Sequence, residues 1–80
     1  MNITLKQLTV FTTTARLNGI TKAAQSLSMT QSAASQSLKE LENILGRPLF
    51  TRYGRKLVIN DHGQALLAQA TQMLALQTQI

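Results

Sequence analysis

The chain has 80 residues, enough for one small domain with one modest core. Its hydrophobic fraction of 44% is that of a globular protein, and the absence of cysteine excludes disulfides, thiolate zinc sites and a Cys nucleophile together. Eight Lys/Arg against three Asp/Glu leave a net charge of +5, a basic excess that points to a polyanion, nucleic acid before anionic membrane. With a single histidine, His62, and only Glu40, Glu42 and Asp61 as acids, a metal site and acid–base catalysis have almost nothing to work with, so no enzyme is expected. No apolar run approaches the ~18 residues of a membrane span. The opening Met1-Asn2-Ile3-Thr4-Leu5-Lys6 lacks the order of a signal peptide, so a cytoplasmic location is expected.

Thr4-Leu5-Lys6-Gln7 has the form of a capping box, with Ile3 and Leu8 at the hydrophobic-staple positions. Leu5, Leu8, Phe11, Thr12 and Ala15 follow at helical spacing, and Asn18-Gly19 is a helix stop. The run Thr12-Thr13-Thr14 works against this helix, because β-branched residues are weak helix formers. Thr21 is the expected N-cap of a second, short helix with Ala23, Ala24 and Leu27 on one face. Ser28-Met29-Thr30 interrupts it, and Thr30 can cap a third helix over residues 31–45. That helix carries an apolar stripe of Ala34, Leu38, Leu41 and Leu45 and ends at Gly46 and Pro48.

Leu49-Phe50-Thr51-Arg52 and Lys56-Leu57-Val58-Ile59 read as two short strands joined through Tyr53-Gly54-Arg55. Asn60 is the expected N-cap of a last helix, with Asp61 placed against its positive end. Along that helix Leu66, Ala70, Met73, Gln77 and Ile80 keep the four-three spacing of a coiled-coil seam with one polar position. The sequence stops mid-helix, as expected of the front of a longer protein or of a helix built to pack on another chain.

Two short helices joined by a tight turn, the second apolar behind and polar in front, describe a helix-turn-helix at about residues 20–39. The alanines permit a close crossing, which Leu27, Met29, Ala34 and Leu38 fill. On the polar front, Gln31, Ser32, Ser35 and Gln36 offer donors and acceptors of the kind that read base edges in a major groove ~12 Å wide, while Thr30 joins them as a DNA-binding candidate and Lys39, a turn further along, reads as a phosphate contact. A solvated helix surface is the plain alternative, although such surfaces are commonly richer in Glu and Lys. Arg47, Arg52, Arg55 and Lys56 place four positive charges within ten residues without an acid, three of them in or beside the hairpin. A basic hairpin after a helix-turn-helix is a wing, here at about residues 49–59, which lies along phosphates or enters the minor groove. Edge-strand protection by Arg52 and Arg55 is compatible with that role. Arg47 reads equally as a helix C-terminal charge and as a DNA ligand. His62 reads as a first-turn residue without special chemistry, Met29 and Met73 as fillers, and Tyr53 as a cover for the turn or a sugar–phosphate contact.

The run from Ala23-Ala24-Gln25-Ser26-Leu27 through Gln31-Ser32-Ala33-Ala34-Ser35-Gln36 to Leu41-Glu42 resembles the helix-turn-helix signature of LysR-type transcriptional regulators. Leu45-Gly46-Arg47-Pro48-Leu49-Phe50-Thr51-Arg52 with Gly54-Arg55 resembles that family's wing, and Asn60-Asp61-His62-Gly63 the start of its linker helix. The resemblance implies a mainly α fold: a winged helix-turn-helix domain (1–60) of three helices and a two-stranded hairpin, then a linker and dimerisation helix (61–80). It also implies bacterial, sequence-specific binding of double-stranded DNA at a two-fold-symmetric operator, by a homodimer paired through Leu66, Ala70, Met73 and Ile80. A tetramer is the further option for a full-length protein. The family's DNA contacts fall here on Gln31, Ser32, Ser35, Gln36, Arg52 and Arg55. No cofactor is implied in this domain; a small-molecule effector belongs to a C-terminal domain outside this chain. Two positions depart from the family's pattern, which commonly has proline at Ser32 and arginine at Gln36, so its sequence preference does not transfer. The reading from another class is a helical protein-interaction module whose basic patch touches RNA or an acidic surface incidentally.

Overall fold

The computed structural model describes residues 2–54 and 56–78. Its elements are α1 (Leu5–Leu17), α2 (Ile20–Ser26), α3 (Gln31–Leu45), β1 (Phe50–Tyr53), β2 (Lys56–Ile59) and α4 (Asp61–Thr78), the winged arrangement expected from the sequence. The capping box forms as written: Gln7 N–H donates to Thr4 Oγ1 and Thr4 N–H to Gln7 Oε1, both at 3.1 Å. The threonine run is accommodated by burial and back-bonding. Thr13 and Thr14 lie inside, the Thr14 hydroxyl donates to Val10 O at 2.7 Å, and among the described residues no buried side-chain polar atom lacks a partner. Tertiary burial thus outweighs the weak helix propensity.

The inner face of α1 differs from the expected stripe. Gln7, Leu8, Val10, Phe11, Thr13 and Thr14 are buried, whereas Leu5 is 47% exposed and Ile3 also faces outward. The reason is that α1 packs against α2, α3 and α4 at once, so a wide arc is covered, while its first residues project beyond the neighbours. The second helix starts earlier than Thr21 suggested. Asn18 takes the left-handed conformation at φ 59°, Gly19 is extended, and helix follows directly from Ile20, which packs on the core.

The core consists of Leu8, Val10, Phe11, Ala24, Ala34, Leu38, Leu41, Leu49 and Ala70. The wing is tied to it by Phe50, whose ring meets Phe11 edge-on at 5.7 Å. In the antiparallel hairpin Phe50 pairs with Ile59, Arg52 with Leu57 and Tyr53 with Lys56. Tyr53 therefore belongs to the ladder, and Leu49, expected in β1, lies just before it with 1% exposure. Arg55, a DNA-contact candidate from the sequence, lies outside the described residues.

The last helix divides its expected seam between the core and solvent. Asn60 caps it as expected, accepting from Gly63 N–H at 2.8 Å. Two of the four seam residues, however, face this chain's own core: Ala70 is fully buried and Leu66 packs against the cluster with Leu67 and Leu74. Four-three spacing marks an apolar face without saying what covers it, and here the chain's own core covers part of it. Met73 (45%) and Leu76 (64%) are exposed, and Ile80 lies outside the described residues. The division at residue 60 accordingly does not coincide with a gap in the core.

Gly63 marks the closest approach in this region. A Cβ there would stand 2.3 Å from Leu49 O and 2.5 Å from Ile59 Cγ1. Gly63→Ala should therefore lower stability by about 1–3 kcal/mol through overpacking. Gly19→Ala, at a position with nothing within 4 Å and an extended backbone, should change it much less. Paired urea titrations check this, and equal midpoints for the two variants would remove the steric argument.

Candidate nucleic-acid interface

The turn between α2 and α3 is built from backbone bonds more than from side chains. Ser28 adopts the left-handed conformation at φ 56°, Met29 N–H donates to Ala24 O at 2.8 Å, and Ser28 N–H to Gln25 O at 3.2 Å. These are the two bonds of a Schellman ending, which reverses the chain in four residues. Ala23, Ala24 and Ala34 are buried, so the two helices cross closely. Thr30 then starts α3, its Oγ1 accepting from Ala33 N–H at 3.1 Å.

With Ala34, Ser37, Leu38 and Leu41 turned inward, the opposite face of α3 is left bare. Gln31, Ser32, Ser35, Gln36 and Lys39 are all exposed, as is Thr30. The five α3 residues and the cap thus form one continuous polar surface, with nothing apolar between them and solvent.

The wing adds its charge on a defined side. Side chains alternate along a strand, so Arg52 shares a face with Phe50, Leu57 and Ile59, while Thr51, Tyr53, Lys56 and Val58 share the other. Arg52 consequently turns toward α3 and lines a groove of about 340 Å³ with Ser35, Lys39, Glu42, Pro48 and Leu57. Ser35 and Lys39 of α3 thus share one groove with Arg52 of β1. Lys56 and Tyr53 belong to the outer face.

Other residues take roles that the sequence did not reveal. Arg47 is engaged with α4, its Nη1 lying 2.9 Å from Nε2 and 3.2 Å from Nδ1 of His62. Glu42 Oε2 accepts from Leu49 N–H at 2.7 Å. Asn60 holds the same segment, its Nδ2 donating to Pro48 O at 2.9 Å and its N–H to Leu49 O at 3.0 Å. The signal for Glu42 was faint, one acid among few in a basic chain; Arg47 and His62 are fifteen positions apart, beyond any helical or strand period. Among the described residues no cluster of His, Cys, Asp or Glu is arranged to hold a metal ion, and no helix is long and apolar enough to cross a membrane.

A helix-turn-helix with a bare polar second helix, flanked by a hairpin that turns an arginine toward it, defines a winged helix-turn-helix domain. Residues 5–64 match the family model described as bacterial regulatory helix-turn-helix protein, lysR family. The chain belongs to that family. It is 48% identical over 69 residues to the uncharacterized HTH-type transcriptional regulator YybE of Bacillus subtilis, a match covering 86% of this chain and 24% of that protein. It superposes on the oxidized form of Corynebacterium glutamicum OxyR with a TM-score of 0.93 and 35% identity, covering 99% of this chain and 26% of the other. Against the crystal structure of a CbnR DBD–DNA complex the TM-score is 0.90 at 28% identity, covering 95% and 87% of the two chains. The chain spans about a quarter of the length of the curated relatives it matches.

The Thr30 cap gives a test of how this surface is held. Thr30→Ala should cost about 1 kcal/mol of stability, and Thr30→Ser much less, because serine keeps the accepting oxygen. Chemical denaturation of the two variants measures it; equal losses would mean that the Ala33 bond does not anchor the start of α3.

Proposed function

We propose that this chain is the DNA-binding domain of a bacterial transcriptional regulator and that it binds double-stranded DNA sequence-specifically, without catalysis. The observation that carries this reading is the bare polar face of α3 beside a groove in which Lys39 and Arg52 converge. A face of neutral amides and hydroxyls can approach base edges without stranding a charge, and Gln pairs bidentately with adenine. The flanking cations supply the sequence-independent attraction to phosphate and fix the register of the helix in the major groove. Superposition on CbnR, a relative solved with DNA, supports the same docking. The placement of Arg52 from the wing in the same groove as Ser35 and Lys39 of α3 weighs against an idle basic patch on a protein-interaction module.

In this proposal Thr30, Gln31, Ser32, Ser35, Gln36 and Lys39 face the major groove, and Arg52 and Arg55 the flanking backbone or minor groove. The molecule works as a homodimer on a two-fold-symmetric operator. Pairing uses the part of α4 left uncovered, Met73 and Leu76, in place of the inward Leu66 and Ala70. The regulator is cytoplasmic, and its small-molecule effector binds a domain beyond this one.

Selection of bound duplexes from a random pool tests the proposal directly: a consensus should emerge, and unenriched sequences would refute specific recognition. On the selected duplex, Gln31→Ala and Ser35→Ala should each weaken binding by about 1–3 kcal/mol and leave binding to random duplex nearly unchanged.

Arg52→Ala should instead weaken both, and lower the slope of log affinity against log salt by about 1 per protomer as one phosphate contact is lost. A salt titration with an unchanged slope would reduce the hairpin to a structural edge.

A further inference from the structure

Glu42 is a carboxylate in a groove that otherwise presents Lys39 and Arg52. By charge alone it opposes the approach of a polyanion. Its contribution lies in geometry. The Glu42 backbone carbonyl accepts from Arg47 N–H at 3.2 Å, and its Oε2 from Leu49 N–H at 2.7 Å, so one residue of α3 holds both sides of the connection to the wing. Leu49 is 1% exposed and precedes the first rung of the hairpin, so its amide has no ladder partner. Pro48, its neighbour, carries no N–H to compete for the acceptor. The bond is charge-assisted and partly buried, which makes it short and strongly directional. Three residues after Leu49 the strand presents Arg52.

We propose that Glu42 is a positioning residue: its carboxylate fixes the start of β1 relative to α3, and so sets where Arg52 meets DNA in relation to Ser35 and Lys39. This rests on the DNA-binding reading given above. Loss of the acceptor frees the connection and lets the wing drift from the recognition helix. Glutamine retains an oxygen for the same bond; leucine retains the bulk without the acceptor.

A double-mutant cycle on a duplex selected by the unaltered chain tests this. Arg52→Ala should weaken binding about tenfold in the parent and in Glu42→Gln, and less than about twofold in Glu42→Leu, where the arginine is already displaced. Gln31→Ala should cost the same factor in all three backgrounds. An equal Arg52→Ala factor in the parent and in Glu42→Leu would overturn the proposal. Loss of any effect of both Gln31→Ala and Arg52→Ala in the parent would instead count against the DNA-binding reading itself. If Glu42→Leu does not fold, hydrogen exchange on the unaltered chain decides: a Leu49 amide protected well beyond that of an unstructured peptide supports the bond, and one exchanging at the peptide rate refutes it.

Discussion

Burying Leu49 is the constraint on which the other parts converge. Its side chain enters the core, yet its backbone lies where three elements meet, and an unpaired amide or carbonyl there would cost about 1–3 kcal/mol. The molecule satisfies the donor with Glu42 from α3 and the carbonyl with the Asn60 amide ahead of α4. Only a glycine at position 63 lets α4 pass this close to the same carbonyl. The recognition helix, the wing and the long helix are therefore fixed to one point, and the arrangement of the polar face and Arg52 follows from it.

The two halves of the interface differ in how they are held. The α3 face needs little beyond its own helix: Thr30 begins it, and Gly46 at φ 72° ends it with Arg47 N–H bonded back to Glu42 O. The wing is too short to be stable alone, since an isolated two-stranded hairpin is marginal in water. It depends on Phe50 against Phe11 and on the groove-side packing of Leu57 and Ile59. Under the proposed function, the side chains assigned to base reading thus sit on the locally capped element, and the arginine assigned to phosphate on the dependent one.

Much of this was legible in the sequence wherever the cause is local. The caps at Thr4, Thr30 and Asn60 act over three residues, and their residue types announce them. The polar face of α3 follows from a stripe of period 3.6, and the hairpin from two short strand-forming runs on either side of Gly54. What was not legible spans the chain. Val10 and Thr14 are buried because three helices surround α1, and Thr14 reads as polar until its hydroxyl is seen bonded to Val10 O. Glu42 to Leu49, Asn60 to Pro48 and Arg47 to His62 are separated by seven, twelve and fifteen positions and each crosses the end of an element, where the period of a single helix or strand no longer applies. Ala70 shows the limit most clearly: an apolar heptad position has the same signature whether it meets its own α1 or another chain.

The burial of Ala70 also has a mechanical meaning. A helix that is capped by Asn60, pressed through Gly63 onto the wing's base and packed along α1 behaves as a spar welded to the body, not as a tether. Eighteen residues make it about 27 Å long. A tilt applied at its far end is delivered to the recognition helix as rotation of the whole rigid body. In the homodimer proposed above, with two copies joined along such spars, the gap between the two α3 faces would be a fixed ruler length. Under that proposal, DNA whose half-sites are spaced differently would have to bend or twist to fit, and spacing would become part of what is read.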